Sequence, residues 1–147
     1  VTVYTKLDVD TLARTLYGEA RGEGIDGMHA VAHVPLNRLK NPGWWTREQG
    51  DGIPDDTVAA ACRDPYQFST WNAGNPNRDL IQKVTLDDPV FQKAYGVAIA
   101  VLHGLGGFGE DPANGATHYH TVNVSPSWAE GREPVKRVGD HLFYTDI

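Results

Sequence analysis

Cysteine is all but missing from this chain of 147 residues: Cys62 stands alone. A single cysteine closes no internal disulfide and builds no cysteine-rich metal motif. It follows Val58-Ala59-Ala60-Ala61, the setting of a small buried apolar residue rather than of an activated nucleophile. Positive charge is also scarce, with 13 basic against 19 acidic residues and a net charge of −6. Duplex nucleic acid is held mainly through Lys and Arg on phosphates, so nucleic acid is not an expected partner. The same balance gives no attraction to anionic membranes or cell walls. A wall polymer would have to be held by hydrogen bonds and stacking in a groove.

Other absences narrow the reading further. No apolar run approaches the ~20 residues that span a bilayer, so membrane insertion is not expected. Residues 1–10 lack the basic start and apolar stretch of a signal peptide. The chain therefore reads as a mature fragment or as a protein made in a cytoplasm. Gly104-Leu105-Gly106-Gly107 follows a helical pattern rather than a strand, the wrong context for a phosphate loop. No Gly-x-Ser-x-Gly elbow and no His-Glu-x-x-His pattern occurs.

Hydrophobic residues make up 40% and charged residues 22%, ordinary values for a globular protein. The length suits one domain, taken as residues 1–147. Val9, Leu12, Ala13, Leu16, Tyr17 and Ala20 are spaced for an amphipathic helix. Asp8 or Asp10 is its expected cap, and its end is expected between Gly18 and Gly24. A second helix is capped by Asp26 and carries Ala30, Val31 and Val34; Pro35 should kink or break it. A short helix follows at about 55–62. Residues 64–79, rich in Pro, Asn, Gly and aromatics, read as a long irregular loop. Asp88 and Pro89 then open a helix whose buried stripe is Phe91, Ala94, Tyr95, Ala98, Ile99 and Leu102, ended by Gly104. Strands are expected at 116–122 and 135–144. Helices first and a small sheet last is an α+β order, mainly helical with a small antiparallel sheet near the C-terminus.

Three groups of residues carry chemistry. If the first helix continues far enough, Glu19 and Glu23 share one side of it, next to the apolar stripe. A carboxyl half-buried against apolar neighbours holds its proton to higher pH, as the general acid of glycosidic cleavage must. The plainer alternative is a surface glutamate paired with Arg14 or Arg21. The second group, Pro65-Tyr66-Gln67-Phe68-Ser69-Thr70-Trp71-Asn72, alternates aromatics with amide and hydroxyl groups. It suits a glycan groove, although Phe68 taken alone reads as a core anchor. The third is Thr117-His118-Tyr119-His120-Thr121. On a strand His118 and His120 face one way and Tyr119 the other. Such a histidine pair is a zinc half-site in principle. Its spacing matches no metal motif, and groove hydrogen bonding or packing is the preferred reading, with no metal and no cofactor.

At Tyr17-Gly18-Glu19-Ala20-Arg21-Gly22-Glu23 the chain resembles the SleB-like cell-wall hydrolases, the family of spore-cortex-lytic enzymes and related phage lysins. The likeness continues through Gly27-Met28-His29-Ala30-Val31-Ala32, Leu36-Asn37-Arg38-Leu39 and Gln67-Phe68-Ser69. It runs on to Gly115-Ala116-Thr117-His118-Tyr119-His120, Trp128 and Gly139-Asp140-His141-Leu142-Phe143-Tyr144. It departs at Pro35, and at His118 and His120, where apolar or aromatic residues are usual in the family. The resemblance implies a lysozyme-like α+β fold with a groove between helices and sheet. It implies cleavage between N-acetylmuramic acid and N-acetylglucosamine by lytic transglycosylation, with Glu19 as the acid. It also implies that Gln67, Ser69, Tyr119, Trp128 and His141 line the groove and that Glu23 has a supporting role near it. The aromatic stretch and the strand pattern add Phe68, His118 and His120 as substrate-binding candidates.

The resulting expectation is a monomeric enzyme acting on peptidoglycan strands in the periplasm or outside the cell, as an endolysin or remodelling enzyme. Alternatives are a hydrolytic muramidase with the same acid, a metal-dependent amidase or peptidase using His118 and His120, and a non-catalytic glycan-binding module.

Overall fold

A computed structural model describes residues 4–40, 57–63, 68–145 and 147. The first helix, α1, spans Lys6–Ala20. It starts at a capping box: the Thr5 hydroxyl accepts from the Asp8 N–H at 3.2 Å, and the Asp8 carboxylate accepts from the Thr5 N–H at 2.9 Å. Two otherwise open backbone donors are thereby satisfied. The cap is thus Thr5, and Asp8, expected at that position, plays the reciprocal part. The other Asp8 oxygen accepts from the Ala59 N–H at 3.0 Å, which ties α1 to the short helix α3, Val58–Arg63. Cys62 on α3 is fully buried.

The apolar face of α1 packs along α5, Pro89–Leu102, and α2, Gly24–Leu39, lies against both. Leu12, Leu16, Met28 and Phe91 are essentially without exposure, and each contributes about 1.5–3 kcal/mol by leaving water. Asp88 caps α5 as expected, accepting from Val90 N–H and Phe91 N–H. The stripe is shifted from the expected one: Val97 and Val101 are buried and Ile99 is exposed. α2 does not break at Pro35, which is buried with Val31 and Val34 on the packed face. Tertiary packing there outweighs a local cost of ~3 kcal/mol. Asp26 lies in the first turn of α2 rather than at its cap.

The stretch expected to be irregular contains, in its described part, a 3-10 turn at Ser69–Trp71 and the start of α4, Pro76–Lys83. Asn75 caps α4 by accepting from the Asn77 N–H at 2.8 Å, and Pro76 fits the first turn. Ile81 is its one buried residue, so apolar periodicity gives no signal. Arg14 closes its far end, donating to the carbonyls of Ile81 at 2.7 Å and Val84 at 2.9 Å.

Three strands complete the chain: β1 His118–Thr121, β2 Lys136–Val138 and β3 His141–Tyr144. They form one antiparallel sheet in the order β1-β3-β2. The single strand expected over 135–144 is therefore a hairpin, turned at Gly139, whose φ is +56°.

Gly18 lies inside α1 rather than at its end, and a close approach explains it. A Cβ there would fall on Thr70 Oγ1 and lie 2.9 Å from Ile81 Cγ2. Gly18→Ala gains about 1 kcal/mol of helix propensity but overpacks this contact at a cost of roughly 1–3 kcal/mol. The substitution is expected to lower the thermal midpoint measured by scanning calorimetry. Gly22→Ala, with nothing within 4 Å of the added Cβ, is expected to change stability by about 0.5 kcal/mol or less.

Candidate active site

Glu19 projects from the last turn of α1 into a gap closed by two other segments. Its Oε1 accepts from the Tyr119 hydroxyl on β1. Its Oε2 accepts from the Thr70 N–H at 3.2 Å and lies 3.5 Å from Ser69 Oγ. The Thr70 backbone reaches this position because Gly18 carries no side chain. Glu19 is half-buried, and removal from water raises its pKa above the ordinary 4.5. The bonds from Tyr119, Thr70 and Ser69, and the charge of Arg38, pull in the opposite direction, but burial dominates. Tyr119 is held well above its ordinary 10.0, first by burial and then by the charge and hydrogen bond of Glu19. It is therefore a neutral donor. Its ring is set edge-on to His141 at 5.2 Å and lies 5.7 Å from Phe143.

The carboxyl opens onto a cleft of about 430 Å³. Gly18 and Glu19 line it from α1, Arg38 from α2, Ser69 from the 3-10 turn and Asn77 from α4. Tyr119, His120, Thr121 and Val124 line it from β1 and the loop after it, and His141 from β3. A larger hollow of about 780 Å³ adjoins Lys40 and Thr57 and does not include Glu19.

Of the residues singled out in the sequence, Glu19, Ser69, Tyr119, His120 and His141 meet in this cleft. Glu23 does not. α1 ends at Ala20, so the two glutamates do not share a helical side. The Glu23 carboxylate instead accepts from the Asp140 N–H at 3.2 Å and 3.3 Å, and Oε1 lies 3.7 Å from His141 Nδ1. It clamps the β2–β3 turn. Phe68 is 1% exposed, with the Arg38 guanidinium 4.7 Å from its ring centre. It is a core residue and offers no face to a ligand. Gln67 lies outside the described residues.

His118 and His120 share a side of β1 as expected, and both pack on Trp128, at 5.1 Å and 5.6 Å between ring centres. Burial, with a smaller contribution from the charge of Arg38, lowers the His118 pKa to about 4. His120 Nδ1 lies 2.7 Å from the Thr121 carbonyl, and Nε2 lies 2.9 Å from the Tyr144 hydroxyl. A carbonyl only accepts, so Nδ1 carries a proton and donates to it, and the Tyr144 hydroxyl, able to donate or accept, engages Nε2. Trp128 and His118 lie outside the cleft wall. Among the described residues no group of three or more His, Cys, Asp or Glu side chains is placed to hold a metal ion. The zinc alternative therefore finds no completed ligand set there.

The surface-pair alternative for Glu19 also fails. Arg14 bonds Asp10 at 2.8 Å and the end of α4. Arg21 donates to the Tyr17 carbonyl at 3.1 Å and to Asn77 Oδ1 at 2.8 Å. Arg38 and Asn77 are polar side chains of the cleft wall to which the sequence assigned no role. Arg38 is 6% exposed and donates to the Thr117 carbonyl at 2.8 Å. Asn77 sits in the stretch read as loop; the Asn75-Pro76 cap signal marks its helix.

Comparison with known proteins places this geometry in context. A family model described as Cell Wall Hydrolase matches residues 22–144. The chain is 33% identical over 141 residues to a spore cortex-lytic enzyme of Halalkalibacterium halodurans, covering 95% of this chain and 35% of that protein. It is 30% identical over 145 residues to the spore cortex-lytic enzyme of Bacillus subtilis, covering 95% of this chain and 38% of that protein. The chain thus spans little more than a third of the length of these curated relatives. Among solved structures, it is similar to the catalytic domain of the germination-specific lytic transglycosylase SleB from Bacillus anthracis. That likeness has a TM-score of 0.66 and 26% identity, and covers 99% of both chains. Glu19 falls just before the family-model match and within this structural one. With a family match over most of its length and a relative at 33% identity, the chain belongs to the cell wall hydrolase family.

Proposed function

We propose that this chain cleaves peptidoglycan strands at the bond between N-acetylmuramic acid and N-acetylglucosamine, as a lytic transglycosylase. The observation that carries the reading is the half-buried Glu19 carboxyl, its pKa raised, opening onto a cleft. Glu19 is also the only carboxylate among the described residues that line the cleft. Retaining hydrolases place a second carboxyl ~5–5.5 Å from the first, and inverting ones ~6.5–9.5 Å away. Transglycosylation needs neither. The B. anthracis domain is described as a lytic transglycosylase, and the curated relatives are spore cortex-lytic enzymes, which supports the same chemistry.

In this mechanism protonated Glu19 gives its proton to the bridging oxygen as the glycosidic C–O bond breaks. Positive charge develops on the muramic acid ring, where that sugar's own acetamide oxygen can assist. The 6-hydroxyl of the same sugar then adds to the anomeric carbon and returns its proton to the Glu19 carboxylate. No water is consumed, and the product carries a 1,6-anhydro end. Tyr119 O–H and Thr70 N–H hold one oxygen each, which fixes the carboxyl plane through both steps. On this reading the enzyme works as a monomer at the cell wall, in the periplasm or outside the cell. None of the described helices is long and apolar enough to cross a membrane.

Glu19→Gln keeps the shape and removes the transferable proton. It is expected to slow lysis of purified peptidoglycan by about 10²–10⁴-fold, and lysis at the unmutated rate would overturn the assignment. Mass spectrometry of the released muropeptides is expected to show anhydro ends. Reducing ends would instead mean a muramidase, and binding to sacculi without release would mean a glycan-binding module. The rate is expected to fall as pH rises through the raised Glu19 pKa, because the acid form is lost. The Tyr119 hydrogen bond favours the carboxylate, so Tyr119→Phe should move that falling limb to higher pH. A limb that stays in place would separate Tyr119 from the titrating group.

A further inference from the structure

We infer that Asn77 determines specificity in the cleft, its side-chain NH2 donating to the N-acetyl carbonyl oxygen of a bound amino sugar. This rests on the glycan reading above. Arg21 Nη2 donates to Asn77 Oδ1 at 2.8 Å. A guanidinium has donors and no acceptor, so the amide oxygen must be the atom facing it. The planar amide then turns Nδ2, with its two N–H groups, away from Arg21. Among the described residues none accepts from Nδ2, and Asn77 lines the cleft beside Glu19.

The donor is set before any ligand arrives. Arg21 is itself held, donating to the Tyr17 carbonyl at 3.1 Å with its guanidinium 5.3 Å from the centre of the Tyr17 ring. The Asn77 backbone is held by the Asn75 cap. Neighbouring polar groups in the cleft are already engaged: Glu19 with Tyr119 and Thr70, and both His120 nitrogens with Thr121 and Tyr144. Asn77 thus supplies a neutral group that only donates. On an amino sugar the acetamide carbonyl is the strongest neutral acceptor, whereas hydroxyls serve equally as donors. A de-N-acetylated sugar presents an ammonium there, a donor meeting a donor. A site built around one hydrogen bond rejects the analogue that cannot complete it. The cleft should therefore prefer N-acetylated to de-N-acetylated glycan.

The test is binding, read by NMR titration on the Glu19→Gln chain, with tetra-N-acetylchitotetraose and its fully de-N-acetylated counterpart as probes. The acetylated probe is expected to bind more tightly. Asn77→Asp keeps an oxygen for Arg21 but replaces the donor with an acceptor. Its affinity for the acetylated probe should fall roughly tenfold, the worth of one hydrogen bond, and the preference should narrow or reverse. Asn77→Ala removes the donor without adding charge and should also compress the preference. An unchanged preference in both variants, or no binding of the acetylated probe, overturns the inference. Lysis of sacculi by the unmutated chain is scored separately. Cleavage with an unchanged preference sinks the role of Asn77 alone. A shifted preference without cleavage sinks the transglycosylase reading and leaves Asn77 in place.

Discussion

A carboxyl group taken half out of water must either find a cation, lose its charge or receive enough neutral hydrogen bonds to keep it. Glu19 is placed between the last two outcomes. Its hydrogen-bond partners are the Tyr119 hydroxyl, the Thr70 N–H and the Ser69 hydroxyl, none of them charged. They orient the group and lower its pKa in part, while burial keeps the net shift upward. A direct ion pair would have ended that balance by fixing the carboxylate. The two arginines nearest in sequence are both engaged elsewhere, Arg14 at the end of α4 and Arg21 on Asn77. Their diversion is as much a part of the acid as the carboxyl itself.

The remaining architecture reads as support for that one group. Gly18 lets the Ser69–Trp71 turn touch α1, which delivers the Thr70 N–H. On the other side, the Glu23 carboxylate clamps the β2–β3 turn through the Asp140 N–H. That turn leads into His141 on β3, whose ring meets Tyr119 edge-on, and Tyr119 reaches Glu19. His141 is buried, which lowers its pKa against the raising effect of Glu23 and Asp140. It therefore packs against Tyr119 mainly as a neutral ring. The two glutamates of one short motif so divide their labour: the first faces the cleft, and the second holds the sheet that carries the first one's partner.

Legibility followed local physics. α1 and α5 were readable because their apolar spacing is regular and Asp88-Pro89 announces a helix start. α4 was not, because it buries one residue and is held from outside by Arg14. Pro35 misled for the opposite reason: its local cost is real, but the packed face of α2 outweighs it. The alternation of a strand puts His118 and His120 on one side of β1, where both pack on Trp128, but only the packing of the whole chain decides that His120 lines the cleft and His118 does not.

By itself the sequence determined the α+β order, the single apolar face of α1 and the place of Glu19 beside that face. These depend on spacings of a few residues, and local geometry enforces them. Only the tertiary structure decided which groups meet the carboxyl, because Tyr119 and Thr70 come from segments 100 and 51 residues away. It also decided that Glu23 turns to the hairpin rather than to the cleft, since α1 ends at Ala20. The upward direction of the Glu19 pKa belongs to the same class. Desolvation is a property of everything packed around a group, and no stretch of neighbours in the chain contains it.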